Sequence, residues 1–392
     1  MKKILISDFR INRFGHNLGW IQNVYDYLKN NPDGNHYSFL LNPDAKNSFQ
    51  IPTDTAQIKT FLVPDSDFAT MEAVSNPPKR FKLQWEYIKS FGEKLGIDKL
   101  IVMEMDMYLK PIGDSGTSFK ISGIWFQPYY RIQTVSSSLS EKVKILLQRI
   151  RKRALIWWTI HHKNFDKVFI LNDHKAVAEL NYYYQKVFHY LPDPAFDYPF
   201  KEGLEVRKYH NIDSNRVVFL IFGAIDNRKN VINILRAFQS LSPEIAQKAA
   251  LLIIGKVAGF YVDEFSAEIE KTRSVQPNLS LITESRFVDD EEMESYFSQS
   301  DVILRMNVNF FASSGIVGSA AKFNKPLIVS DYGLVAEQII EHKLGKLANP
   351  DNIEEIKTAL IDYIEKPELR NVDGQEFYRT HDRDFTIKTL LS

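Results

Sequence analysis

Short apolar runs alternate with longer segments of helical period along the whole chain. In the first half the runs Ile4–Ser7, Tyr37–Leu40, Lys59–Val63, Lys99–Met103, Ile121–Phe126 and Lys167–Leu171 read as strands. Between them, helical spacing predicts helices over about Leu18–Leu28, Phe81–Leu95, Leu139–Arg153 and Lys175–Tyr184. In the second half the strand runs are Val217–Phe222, Leu251–Ile254, Leu279–Ile282, Val302–Leu304 and Leu327–Val329. Helical patterns follow at Val231–Phe238, Val262–Lys271, Glu291–Ser298, Ile316–Phe323, Val335–Glu341 and Ile353–Ile364. Runs that are apolar at every position, rather than at alternate ones, belong to strands buried on both faces. They imply parallel sheets with helices above and below.

The pattern restarts near residue 215, which predicts two such sheets rather than one large one. The boundary is Tyr190-Leu-Pro-Asp-Pro-Ala-Phe-Asp-Tyr-Pro, where three prolines in eight residues stop any helix or central strand. The expected fold is therefore α/β: two Rossmann-like, doubly wound lobes, 1–195 and 196–392, facing a central cleft. The last helical segment, Gln375 to Leu391, is expected to cross back to the first lobe.

Composition narrows the function classes. Lys plus Arg and Asp plus Glu both number 49, so no basic excess marks a nucleic-acid binder. Cysteine is absent, which excludes disulfides, thiol catalysis and Cys-based zinc sites, and fits a cytoplasmic chain. The opening apolar run ends at Ile6, too short for a signal-peptide core, and no stretch approaches the ~18 apolar residues of a membrane span.

In a doubly wound sheet, ligands sit beyond the carboxyl ends of the strands. The turns at those ends are where chemistry is expected. After the first strand comes Phe9-Arg-Ile-Asn-Arg-Phe-Gly-His-Asn-Leu-Gly-Trp, with Gly15 and His16 at the entry to a helix. Gly15 permits close backbone approach, and His16 can donate to a sugar hydroxyl or a phosphate. An ordinary helix-entry turn with an exposed histidine reads the same way. After Val217–Phe222 comes Gly-Ala-Ile-Asp-Asn-Arg-Lys-Asn, with Gly223 ending the strand and Arg228 and Lys229 at the mouth of the next helix. Two cations at a helix N-terminus oppose its dipole, so a bound anion such as a diphosphate would relieve a local cost. A solvated helix start is the plainer alternative. Ser313, Ser314 and Gly315 open a third helix, either as an N-cap or as a cradle of backbone N–H groups for phosphate. Lys325-Pro326, Gly333 and Glu337 form a second turn and helix beside it.

Three further features carry weaker signals. Glu104 and Asp106 place two carboxylates after a strand, for a metal, an acceptor or a cap. His161-His162 have only Asp166 nearby, which does not make a zinc set. Residues 142–158 mix Lys and Arg with Ile and Leu at helical spacing and end in Trp157-Trp158. They suit either the surface of an anionic membrane or a core helix with a solvated basic face.

The residues of the second half resemble the donor-binding lobe of GT-B glycosyltransferases, in particular the group-1 (family 4) nucleotide-sugar-dependent enzymes. The matching pieces are Phe222-Gly223 with Arg228-Lys229, Leu252-Ile-Ile-Gly-Lys256, Phe287-Val-Asp-Asp-Glu-Glu-Met, Ser300-Asp-Val-Ile-Leu, Lys325-Pro-Leu-Ile-Val-Ser, and Gly333 with Glu337. Such a resemblance implies metal-independent hexosyl transfer, with retention of configuration, from a nucleotide-sugar to a hydroxyl of a glycan or lipid-linked acceptor. It needs no cofactor beyond the nucleotide-sugar as co-substrate. It further implies that His16 touches the donor as a catalytic group, and that Gly15, Gly223, Arg228, Lys229, Ser313, Ser314, Gly315 and Glu337 hold it. The chain departs from the pattern at Phe311 and Ser319, where the family carries glutamates. The rival readings are a nucleotide-sugar epimerase drawing on Glu104 and Asp106, and a non-catalytic binding protein on the same frame.

Overall fold

The computed structural model describes residues 1–10, 16–47, 54–128, 131 and 139–392, with the backbone alone at 16–18, 47 and 141. The chain divides into two compact units, Met1–Pro192 together with Arg383–Ser392, and Asp193–Asp382.

The first unit holds a seven-stranded sheet built from β1 (Lys3–Asp8), β2 (His36–Leu41), β3 (Ile58–Leu62), β4 (Lys99–Val102), β5 (Lys120–Trp125), β6 (Phe165–Leu171) and β7 (Phe188–Leu191). Its order is β3-β2-β1-β4-β5-β6-β7, and every pairing is parallel. The second unit holds a six-stranded sheet of β8 (Val217–Phe222), β9 (Ala249–Ile254), β10 (Ser280–Glu284), β11 (Val302–Arg305), β12 (Leu327–Ser330) and β13 (Gly345–Ala348). Its order is β10-β9-β8-β11-β12-β13, again wholly parallel. Both sheets thus reverse direction beside their first strand, between β1 and β4 and between β8 and β11. That reversal point is where a doubly wound sheet opens a crevice for ligands.

The continuous apolar runs are explained by what covers them. Along β8, Val217, Phe219 and Ile221 join a core with helices Val231–Gln239, Val262–Val275 and Ile353–Glu365. Val218 and Leu220 point the other way, into a core with Tyr296, Phe297, Val317, Ala320, Val335 and Ile339. The helices that flank the sheets start where polar side chains satisfy free N–H groups. Asp173 accepts from Ala176 N, Asp289 from Glu292 N, and Asn352 from the N–H groups of Glu354 and Glu355.

Three differences from the sequence pattern have physical causes. β13 has only four residues, Gly-Lys-Leu-Ala, and its place in the sheet is set by pairing with β12 rather than by its own apolarity. β7 reads in sequence as the start of the proline-rich connection, yet Leu191 still pairs with Leu171 before Pro192 ends the ladder. The helix expected over Leu139–Arg153 runs on to Ile160, because Ile156, Thr159 and Ile160 are buried in the first unit. At the other end of the chain, Arg383–Leu391 is a helix whose Thr386, Ile387 and Leu390 are buried in the first unit. The carbonyl of Ser392 accepts from the ammonium groups of Lys99 and Lys167 at 2.8 and 3.0 Å.

Candidate anion site at the carboxyl ends of β8 and β11

β8 and β11 are adjacent and end at Phe222 and Arg305. Past Phe222 the chain turns at Gly223, φ +95°, and enters a short 3-10 turn, Asn227–Lys229. Asn230, in the left-handed region at φ +58°, then starts the helix Val231–Gln239, with its side-chain amide bonded to the Pro350 carbonyl at 2.7 Å. This path turns Lys229 back over the end of its own strand, where its ammonium donates to the Phe222 carbonyl at 2.5 Å. Loss of water, with the positive charge of Arg305 nearby, pushes this lysine down to about 7.

Arg228 lies at the surface, with more than half of its side chain exposed. Its guanidinium Nε and Nη2 both donate to Asp226 Oδ2, at 3.0 and 2.7 Å, while the other oxygen of Asp226 accepts the Arg228 N–H. The cation opposed to the helix dipole is therefore compensated first by a carboxylate two residues away. Lys229 differs from Arg228 in that its partner is a backbone carbonyl, that of Phe222, and not a carboxylate.

Sequence reasoning missed Arg305. It closes the apolar strand Val302-Ile-Leu-Arg and is 6% exposed. Its Nε donates to Ser314 Oγ at 3.0 Å, and its guanidinium lies 4.4 Å from the centre of the Phe310 ring. Among the described residues it forms no ion pair with a carboxylate. Burial, with Arg228 nearby, pushes it down to about 9. The signal was visible: an arginine at the last position of a central strand has no reason to be there unless the strand end faces a polar ligand or partner.

The serine turn has a different role from a simple cap. Ser314 is at the N-cap position of the helix Gly315–Lys322, but its hydroxyl makes no bond to the helix N–H groups. It accepts from Arg305 instead, which leaves the first N–H groups, at Gly315 and Ile316, without intrahelical partners by position. Ser313 donates its hydroxyl to Asp193 Oδ2 at 2.8 Å, so this side chain ties down the turn. The loop between β11 and that helix is fixed on both sides. Val308 N donates to the Arg228 carbonyl at 2.9 Å, and Asn309 N donates to the Tyr332 hydroxyl at 2.9 Å.

Arg228, Lys229, Arg305, Ser314 and Gly223 thus come together at the reversal point of the second sheet. Phe311 packs near Tyr332, with ring centres 5.5 Å apart, and Ser319 donates to the carbonyl of Gly315 at 3.3 Å. Neither position supplies a carboxylate. Glu337 is half-buried in the second turn of the helix Gly333–Glu341. In the first unit, His16 begins the helix His16–Asn30; Gly15 and the His16 side chain lie outside the described residues. Glu104 lies 3.8 Å from Arg10, and both oxygens of Asp106 accept backbone N–H groups, from Phe126 and Gln127. The ring of His161 lies tilted against Trp157, with centres 4.5 Å apart, and bonds to its carbonyl, one turn earlier in the same helix.

Two parallel Rossmann-like sheets in one chain, with the connections described, are the GT-B fold. Residues 204–378 match the family model of glycosyl transferases group 1. A glycosyltransferase of Methanocaldococcus jannaschii, described as uncharacterized, is 23% identical over 184 residues. That match covers 44% of this chain and 45% of the relative. Among solved structures, the chain is similar to WaaG, a glycosyltransferase involved in lipopolysaccharide biosynthesis, with a TM-score of 0.67 at 15% identity over 98% of both chains. It is also similar to a sucrose-phosphate synthase from Thermosynechococcus elongatus, with a TM-score of 0.69 at 13% identity over 100% of this chain and 95% of the other. An E. coli trehalose-6-phosphate structure bound with UDP-2-fluoro glucose gives a TM-score of 0.67 at 10% identity, over 99% of this chain and 98% of the other.

Proposed function

We propose that this chain is a cytoplasmic glycosyltransferase that moves a hexose from a nucleotide diphosphate donor to a hydroxyl acceptor on a glycan or a lipid-linked glycan. One observation carries the reading. At the carboxyl ends of β8 and β11, Arg305 is buried and Lys229 half-buried, turned onto the end of its own strand, and neither has a carboxylate ion pair among the described residues. Cations held away from water without a carboxylate partner are costly, and a site that keeps them is suited to an anion that arrives with the substrate. A diphosphate has the matching charge and size. The solved structure bound with UDP-2-fluoro glucose shares the fold and adds support to a nucleotide-sugar as that anion.

In the proposed reaction the bond from the anomeric carbon to the diphosphate oxygen breaks, and its electron pair leaves with the phosphate. The acceptor oxygen bonds to the anomeric carbon, and its proton passes to the departing diphosphate oxygen. Lys229, Arg305 and the N–H groups of Gly315 and Ile316 stabilise the charge on the leaving diphosphate, the kind of fixed electrostatics that dominates such catalysis. Retention of configuration follows from the family resemblance and is tested by the anomeric coupling of the product. A non-catalytic donor-binding protein is the second reading, favoured by the absence of carboxylates at Phe311 and Ser319.

The experiment is a thermal-shift screen with UDP-, GDP-, dTDP- and ADP-linked sugars and the free nucleotides. A ligand held only by the folded state at a hundredfold excess over its Kd stabilises by ~2.7 kcal/mol. A shift with one base, lost in the Arg228→Ala, Lys229→Ala double variant, supports the reading. No shift with any nucleotide overturns it. A shift without release of nucleotide in the presence of acceptors leaves the binding reading in its place.

A further inference from the structure

The helix Leu139–Ile160 of the first unit has two apolar faces, and only one of them is used by the fold. Its C-terminal half is anchored: Ile156, Thr159 and Ile160 are buried, Thr159 Oγ1 donates to the Leu109 carbonyl, and Trp158 Nε1 donates to Asp114. Its N-terminal half projects. From Leu139 to Arg151 every described side chain but Ile145 is exposed.

Leu139, Val143, Leu146, Leu147 and Ile150 are each 49–78% exposed, and Trp157 is 51% exposed. At 3.6 residues per turn these six fall within ~100° of the helix circumference, on the side away from Ile156, Thr159 and Ile160. Lys142, Arg149 and Arg153 border one edge of the stripe, and Lys144 and Arg151 the other. Over Leu139–Ile160 the chain has six Lys and Arg against one acidic residue, Glu141, while the whole chain is balanced at 49 against 49. A solvated surface helix needs no such stripe. Apolar rows this long, left open to water, mark a contact. A stripe edged on both sides by cations, with an indole at its end, is shaped for the boundary between headgroups and acyl chains.

We propose that the exposed face of Leu139–Trp157 is a docking surface for an anionic phospholipid bilayer, on which the helix lies flat. Among the described residues no helix is long and apolar enough to cross a membrane, so the contact is one of lying on the surface. Charge complementarity selects the lipid over a second copy of the chain, because two such stripes would bring ten bordering cations together.

The test is flotation of the full chain with vesicles of phosphatidylcholine alone and of phosphatidylcholine with phosphatidylglycerol. Binding is expected to the anionic vesicles only and to weaken with salt. Each cation near such a surface strengthens partitioning on the order of fivefold. Exchange of Lys142, Lys144, Arg149 and Arg151 for Gln should therefore lower binding at least about a hundredfold. A second variant, Leu146→Gln with Leu147→Gln and Ile150→Gln, should lose binding while keeping the far-ultraviolet circular dichroism of the parent. Trp20, Trp85 and Trp125 are fully buried, so a blue shift of fluorescence on anionic vesicles reports Trp157 and Trp158. Absence of binding to anionic vesicles, or equal binding to neutral ones, overturns the proposal. So does a dimer in light scattering that the Leu146, Leu147 and Ile150 variant dissolves, which would give the face to a second copy. Thermal shifts with nucleotides should be unchanged in both variants, so failure here is separate from failure of the donor site.

Discussion

At the scale of single residues, Lys229 makes the second unit sensitive to pH. Unfolded, a lysine keeps its proton to about 10.4; folded, Lys229 loses it near 7. Between these values the unfolded chain binds more protons, so Lys229 lowers stability most below pH 7. That penalty fades as pH rises through the window. An anionic ligand reverses the preference by favouring the ammonium. Affinity for a nucleotide-sugar, whose diphosphate keeps its charge in this range, should be greatest below pH 7. Above that it should fall by up to about tenfold per unit. Calorimetric titration in buffers of different ionisation enthalpy should show proton uptake on binding at pH 8, and Lys229→Met should remove both effects. Arg305 gives a sharper contrast. Replacing a buried cation that has no carboxylate partner by an apolar group of similar length is neutral or stabilising. Arg305→Met should thus leave the Tm of the free protein unchanged or higher, while nucleotide affinity falls at least about tenfold for loss of a charge-assisted contact. A large drop in Tm would mean that Arg305 serves the fold, not a ligand.

At the scale of elements, the site depends on how closely the ends of β8 and β9 approach. Gly255 follows β9 at φ +145°, and a Cβ there would sit 2.0 Å from the carbonyl oxygen of Gly223. The two turns are tied as well, since Gly223 N donates to Ile254 O at 3.0 Å, while Gly255 N donates to Glu284 O, at the end of β10, at 2.9 Å. Gly255→Ala must therefore displace the Gly223 turn, over which Lys229 lies. The expected cost is at least ~2 kcal/mol, from a strained backbone angle and a clash with backbone that cannot yield. Chemical denaturation would measure it, and the same variant should weaken nucleotide binding although position 255 carries no polar side chain.

At the scale of the whole molecule, the first unit is built from two separate pieces of chain. Ile387 and Leu390 are buried in it, and Ser392 accepts from Lys99 and Lys167. Burial of two such side chains is worth ~3–6 kcal/mol. A chain ending at residue 382 should lose about that much from the first unit and little from the second. Differential scanning calorimetry should resolve this as one transition shifted down and one left in place. Equal shifts of both would show that the last ten residues stabilise the second unit too.

The sequence by itself determined the architecture, because strands covered on both faces must be apolar throughout and the helices between them must repeat every 3.6 residues. Most strands and the restart of the pattern near residue 215 were legible for that reason. So were Gly223, Arg228, Lys229 and the Ser313–Gly315 turn, since loops at strand ends are read from order along the chain alone. Pairing and charge compensation were decided only by the tertiary structure. β13 exists because β12 offers it a partner. Arg228 is neutralised by Asp226, whereas Arg305 is not neutralised by any described residue. Ser314 serves Arg305 rather than its helix. The face of Leu139–Ile160 left open to water follows from which side packs on the first unit, and amphipathic spacing cannot choose between two apolar faces of one helix. These facts depend on which atoms lie within a few ångströms across long stretches of sequence, and such distances are set by the packed fold.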